Sequence, residues 1–128
     1  MAPVPPPEVK LVRAWDSDQI VALYRAGGWW KEDYDPAGIP SLIAGSFLFA
    51  VAVDPALDVA IGMGRVISDG VSDAYIQDLV VLPEVRRSGV GRKIVSLLVT
   101  SCWDRGVRWI GLISQPGCDN FYRELGFV

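Results

Sequence analysis

The chain has 128 residues, 51% of them hydrophobic, with a formal net charge of −3 and no histidine. That is the size of one domain with a real core, and its charge offers no global attraction to nucleic acid or an anionic membrane. Without histidine, a Ser-His-Asp or Cys-His pair cannot be built and His/Cys zinc sites lack ligands, so no metal site is expected.

The N-terminal "MAPVPPPEV" lacks a positive n-region and an apolar core, so it is no signal peptide and reads as a proline-rich flexible tail over 1–8. Residues 10–14 predict a short strand. Asp16 then caps a helix over 17–26, where Ile20, Leu23 and Tyr24 recur at helical spacing until Gly27-Gly28 stop it. "WWKEDYDPAG" is loop, followed by a short helix near 39–44. Strands are expected at 47–53, at 59–68, where Gly62 and Gly64 suggest a bulge or a close backbone approach, and at 74–82. The near-continuous apolar run of this last strand suggests burial on both faces. A helix follows over 90–104, with Val90, Ile94, Leu97, Leu98, Ser101 and Cys102 along one stripe. A strand at 107–114 and a short helix over 118–125 complete the chain.

Hairpin strands followed by a strand–helix–strand–helix unit imply a single α/β domain over 1–128, built on a mixed sheet of about five strands with helices on both faces. A right-handed crossover should join the strand at 74–82 to that at 107–114. The end "LGFV" suggests that a further strand is missing there. Cys102 reads as a small buried hydrophobe, and a disulfide with Cys118 stays open. With so few cysteines and no ~18-residue apolar run, a cytoplasmic chain with no membrane span is the default.

"EVRRSGVGRK", residues 84–93, places four of the chain's twelve basic residues in one turn between strand and helix. A helix N-terminus carries partial positive charge and unpaired N–H groups, so it suits phosphate. Glycines 89 and 91 would let a phosphate close to the backbone, with Arg86, Arg87, Arg92 and Lys93 at the rim. The Walker pattern fails at "GVGRKI", and the dinucleotide fingerprint fails because its third glycine position is Ile94. The turn alone is therefore either an anion cradle or a tight connection whose arginines are solvated.

Three stretches together are more specific. R-x-x-G-x-G over Arg86–Gly91 follows the spacing L-x-V-x-P at Leu79, Val81 and Pro83. "NFYRELGF" at 120–127 ends in Y-x-x-L-G-F, and "AIGMGRV" places glycine in the preceding strand. In this order they resemble the GNAT superfamily of N-acetyltransferases over nearly the whole chain. The resemblance implies a mixed, mostly antiparallel sheet whose strands at 74–82 and 107–114 splay apart. It also implies acetyl-CoA as donor. Its pyrophosphate would lie on the amides of Arg86, Arg87, Ser88, Gly89, Val90 and Gly91, with Arg92 beside them. Its pantetheine would pair with the backbone of Leu79, Val80 and Val81, and Asn120 could anchor a pantetheine amide.

By the same resemblance Tyr122 is the general acid for the departing thiolate, and a strand N–H near Val80 is the oxyanion donor. Many relatives carry a glutamate base on a neighbouring strand; "WIGLIS" has none. Asp78, inside "YIQDLVVL", is then the candidate base, against the alternative that Arg65 or backbone amides merely satisfy it; Gln77 and Tyr75 stand behind it. The aromatic segment with Trp29, Trp30 and Tyr34 is the candidate acceptor wall. The expected reaction is acetyl transfer to a primary amine of a small molecule, with resemblance to small bacterial or archaeal members and plant aromatic-amine acetyltransferases. Acetylation of protein Nα or Lys groups and a non-catalytic acyl-CoA-binding domain are the alternatives. Dimers are common in the family, so a homodimer is a further expectation.

Overall fold

The computed structural model describes residues 5–128. In chain order the elements are β1 (Glu8–Leu11), α1 (Ser17–Ala26), α2 (Ile39–Gly45), β2 (Leu48–Asp54), β3 (Val59–Ser68), β4 (Asp73–Val81), α3 (Val90–Asp104), β5 (Trp109–Leu112) and α4 (Asp119–Glu124). The strands form one sheet in the order β1-β2-β3-β4-β5. The first three pairings are antiparallel and β4–β5 is parallel, because α3 carries the chain back across the sheet. The mixed, mostly antiparallel architecture expected from the sequence is the one observed.

Local chemistry explains most boundaries. β1 starts at Glu8, earlier than predicted, because Glu8 follows the prolines, which have no N–H to give to a strand partner. The predicted tail over 1–8 thus loses Glu8 to the sheet, and its residues 1–4 lie outside the described residues. Asp16 caps α1 by accepting from Gln19 N at 3.0 Å, a contact worth about 1 kcal/mol. β5 is shorter than the predicted 107–114, because its pairing with β4 ends at Ile76 opposite Leu112.

Two apolar clusters sandwich the sheet. One joins Ile20, Leu23 and Tyr24 of α1 and Ile43 of α2 to Phe49, Val51 and Met63. The other joins Ile94, Leu98 and Cys102 of α3 to Ala50, Val66, Ala74 and Ile76. β2, the apolar run buried throughout from Leu48 to Val53, lies between them. β4 does not match the expectation of burial on both faces: Tyr75 is 44% exposed and Gln77 is exposed, because only the α3 side of its first half is covered. Gly62 and Gly64 permit the close approach of α3. A Cβ on either would lie 3.1 Å and 3.0 Å from atoms of Ile94. Both cysteines are free, Cys102 buried and Cys118 exposed. Among the described residues no helix is long and apolar enough to cross a membrane.

Candidate active site

Between β3 and β4 the register slips. Met63 pairs with Val80 and Arg65 with Gln77, so Gly64 alone faces Asp78 and Leu79. This is a β-bulge, and Asp78 within it has φ +58. The extra residue changes which side chains share a face. Ala74 and Ile76 belong to the α3-side cluster, and after the bulge Leu79 and Val81 pack there while Val80 joins the α1 side. The β4–β5 ladder ends at Ile76, just before the bulge. The two parallel strands are therefore unpaired beyond that point, and the backbone from Gln77 to Val81 is unmatched on its β5 side.

The cradle lies beyond this gap. Gly89, with φ +85, is the N-cap of α3 and brings no side-chain cap with it. The first helical bond there runs from Lys93 N to Gly89 O at 3.1 Å, which leaves the N–H groups of Val90, Gly91 and Arg92 without helical acceptors. They border a cavity of about 540 Å³ lined by Leu79, Val80, Val81, Arg86, Arg87, Gly89, Val90, Gly91, Arg92, Phe121 and Tyr122, among others. A Cβ on Gly91 would meet Phe121 at 3.4 Å, whereas one on Gly89 would meet nothing within 4 Å. Glycine is thus needed at 89 for its backbone conformation, whereas a Cβ at 91 would only come into contact with Phe121 of α4.

The basic side chains divide their work. Arg86 Nε donates to Val81 O at 3.0 Å and ties the turn to the strand end. Arg92 makes an exposed ion pair with Glu124 at 3.4 Å. Arg87 itself has φ +64. Ser88 bonds back to Val85 O and does not line the cavity, and neither does Asn120, exposed at the start of α4.

A second cavity of about 360 Å³ opens on the other side of Leu79. Trp29, Tyr75, Gln77, Asp78, Leu112 and Gln115 line it, and Leu79, Cys118 and Tyr122 border both cavities. Tyr122 thus stands where the two meet. Its ring is held edge-on by Phe121 at 5.0 Å and Phe127 at 6.1 Å. Burial raises the pKa of its phenol above the ordinary value, and nearby Cys118 acts in the same direction. The phenol therefore stays protonated at neutral pH. Among the described residues its hydroxyl has no hydrogen-bond partner.

Asp78 reaches this junction already partnered. Arg65 Nε donates to its Oδ2 at 2.6 Å and the Tyr24 hydroxyl donates to the same oxygen at 2.7 Å. The carboxylate is thus satisfied by Arg65, as the alternative to a base would have it, and it also lines the second cavity. Burial, followed by the bond to Asp78, pushes the Tyr24 pKa far up.

Of the three aromatics expected to form an acceptor wall, Trp29 lines the cavity. Trp30 packs on Tyr24 at 6.4 Å, and Tyr34 packs on Trp30 at 5.5 Å with 46% of its surface exposed. Sequence reasoning missed Cys118 and Gln115, which carry no motif, Phe121, which lies within "NFYRELGF" but outside its Y-x-x-L-G-F ending, and Tyr24, which reads as an ordinary core position. A further hollow, about 860 Å³, runs between the outer edge of β5 and α4 and also touches Tyr122. Among the described residues no three His, Cys, Asp or Glu side chains group in a way that could hold a metal ion.

A mixed sheet that divides around its one parallel pair, with a phosphate-receptive helix start facing the division, defines the acyl-CoA acyltransferase class of fold. The chain belongs to the acetyltransferase (GNAT) family, whose model matches residues 15–127. It is 37% identical over 111 residues to "GCN5-related N-acetyltransferase 1, chloroplastic" of Arabidopsis thaliana, covering 87% of this chain and 55% of that protein. It is also 37% identical over 68 residues to "Serotonin N-acetyltransferase 2, chloroplastic" of Oryza sativa, covering 53% of this chain and 34% of that one. The chain thus spans about half or less of the length of these relatives. A GNAT family acetyltransferase structure from Streptococcus pneumoniae superposes with a TM-score of 0.77 at 26% identity, covering 95% of this chain and 87% of that one.

Proposed function

We propose that the chain is an acetyl-CoA-dependent N-acetyltransferase acting on a primary amine of a small molecule. The observation that carries this reading is the meeting of two cavities at Tyr122, one beside a phosphate-receptive helix start and the other lined by aromatic and polar side chains.

Acetyl transfer forms a bond between the amine nitrogen and the thioester carbon, breaks the C–S bond, and moves one proton from the amine and one to the departing sulfur. The free N–H groups at the start of α3 and the helix dipole would hold the diphosphate. The unpaired backbone of Leu79 to Val81 would hold the pantetheine amides as a neighbouring strand would. Tyr122, kept protonated by burial, would give its proton to the sulfur. Asp78 would take the proton of the amine, directly or through water, and the charge of Arg65 keeps the carboxylate from standing alone in the partly buried site. Trp29 and Tyr75 favour an acceptor with an aromatic or apolar body, consistent with the serotonin for which the rice relative is named.

The test measures coenzyme A thiol release from acetyl-CoA against a panel of aliphatic amines, arylalkylamines and a lysine peptide, with titration of coenzyme A in parallel. Turnover is expected with arylalkylamines. Coenzyme binding without turnover on any amine would overturn the enzyme reading in favour of a coenzyme-binding domain, and turnover confined to the peptide would overturn the small-molecule acceptor.

A further inference from the structure

Asp78 is the only non-glycine residue with positive φ inside a strand among the described residues; Asp58 and Arg87, the other two, lie in turns. For an L-residue that conformation costs roughly 1–2 kcal/mol, so it persists only where the surroundings hold it. Two donors do so here, from different elements. Arg65 reaches across from β3 at 2.6 Å, and Tyr24 reaches down from α1 at 2.7 Å, both onto Oδ2. Neither donor is a loose surface group. The side chains of Arg65 and Asp78 are 18% and 23% exposed, and Tyr24 is 8% exposed, packed edge-on against Trp29 at 6.3 Å.

The bulge these contacts restrain lies where β4 leaves β5, and it presents Leu79 to both cavities. We propose that Tyr24 and Arg65 are positioning residues for acetyl transfer: they hold Asp78 in its left-handed conformation and so fix the carboxylate and the Leu79–Val80 backbone relative to Tyr122. The inference rests on the reading that acetyl transfer takes place at that junction. Neither residue touches the reacting atoms. Their effect passes through the shape of β4, and because Tyr24 also abuts Trp29, the acceptor wall and the bulge share one restraint.

Tyr24→Phe keeps the ring and removes the hydroxyl; Arg65→Lys keeps the charge and removes the Nε donor. Each is expected to lower kcat about tenfold or more through misplacement at the junction, with a clearly smaller loss of coenzyme A affinity, because the start of α3 that would hold the diphosphate lies outside the bulge. In an Asp78→Gly background, where left-handed backbone needs no restraint, Tyr24→Phe should cost less than about twofold further. Amide hydrogen exchange at Leu79 and Val80 reads the bulge without turnover, and should be about tenfold faster in Tyr24→Phe.

Wild-type kcat in both single variants would overturn the proposal, as would the full tenfold loss repeating in the Asp78→Gly background. Unchanged exchange at Leu79 and Val80 would overturn it too. Loss of coenzyme affinity in step with kcat would reduce the cluster to support of the fold, which also overturns it. Failure of the underlying mechanism looks different. An Asp78→Asn variant with full kcat would remove Asp78 as proton acceptor, yet the positioning role would stand if Tyr24→Phe still slowed turnover. If no acceptor is turned over at all, the exchange measurement still decides whether Tyr24 holds the bulge.

Discussion

Gly89→Ala separates the conformation of the cradle from the space within it. The native residue has φ +85, a region alanine enters only under strain, while the added Cβ would meet no atom within 4 Å. No packing clash therefore obscures the result. Holding alanine in the native conformation costs about 1–2 kcal/mol. For a chain of this length that corresponds to a fall in Tm of about 4–7 °C, taking an unfolding entropy of about 2 cal/mol/K per residue. The alternative is for the turn to relax toward negative φ, which would spare stability but redirect the N–H groups of Val90 and Gly91. Either response should appear, in melting temperature or in coenzyme A affinity, and a relaxed turn should weaken binding at least tenfold, about 1.4 kcal/mol. A variant with both wild-type Tm and wild-type coenzyme affinity would refute the claim that left-handed backbone at 89 builds the site.

Three further outcomes follow from the same geometry. Tyr122→Phe retains the edge contacts with Phe121 and Phe127, so kcat should fall about a hundredfold with coenzyme A affinity nearly unchanged; steady-state kinetics and a binding titration check this. Gly27→Ala would place a Cβ 2.7 Å from the Trp29 ring, which must move, so the KM of the acceptor should rise several-fold while that of acetyl-CoA holds. Tyr24 and Tyr122 both have raised phenol pKa values. The folded state therefore keeps protons that the unfolded chain gives up above about pH 10, so stability present below that pH should decline as pH rises further. Melting curves from pH 8 to 11 read the decline, which Tyr24→Phe should lessen. Spectroscopic titration should find both of these phenols ionising above the ordinary tyrosine range.

The fold was legible wherever a boundary had a local cause. The Asp16 cap, the Gly27 stop and the period of Val90, Ile94 and Leu98 each act within a few residues, and α1 and α3 match their predicted spans. Strand ends depend on partners that are distant in sequence, and there the reading slipped. β5 shortened because its neighbour bulges at Asp78, 34 residues before Leu112, and nothing within 107–114 records that event. The apolar run of β4 misled for a related reason. Burial on both faces needs helices above and below, and α1 covers β4 only around Asp78 and Val80.

The proposed coenzyme side of the site has a local geometry, as α3 has. A phosphate cradle is local: one strand end, one turn and one helix start, with glycine required by the φ of Gly89. The candidate acceptor side is assembled from the segment after α1, from β4, from the end of β5 and the loop beyond it, and from α4, so no spacing along the chain can announce it. Trp29, Trp30 and Tyr34 are close in sequence, yet only Trp29 reaches the cavity, because Trp30 turns onto Tyr24. Asp78 belongs to both kinds of information. Its residue type is visible as a carboxylate in an apolar run, but its direction depends on the two-for-one count opposite Gly64. Without the bulge, strand alternation would give Asp78 the same face as Ala74 and Ile76, toward α3 and away from the acceptor cavity. A single inserted residue, held by an arginine and a tyrosine from two other elements, thus decides whether that carboxylate can take part in the chemistry.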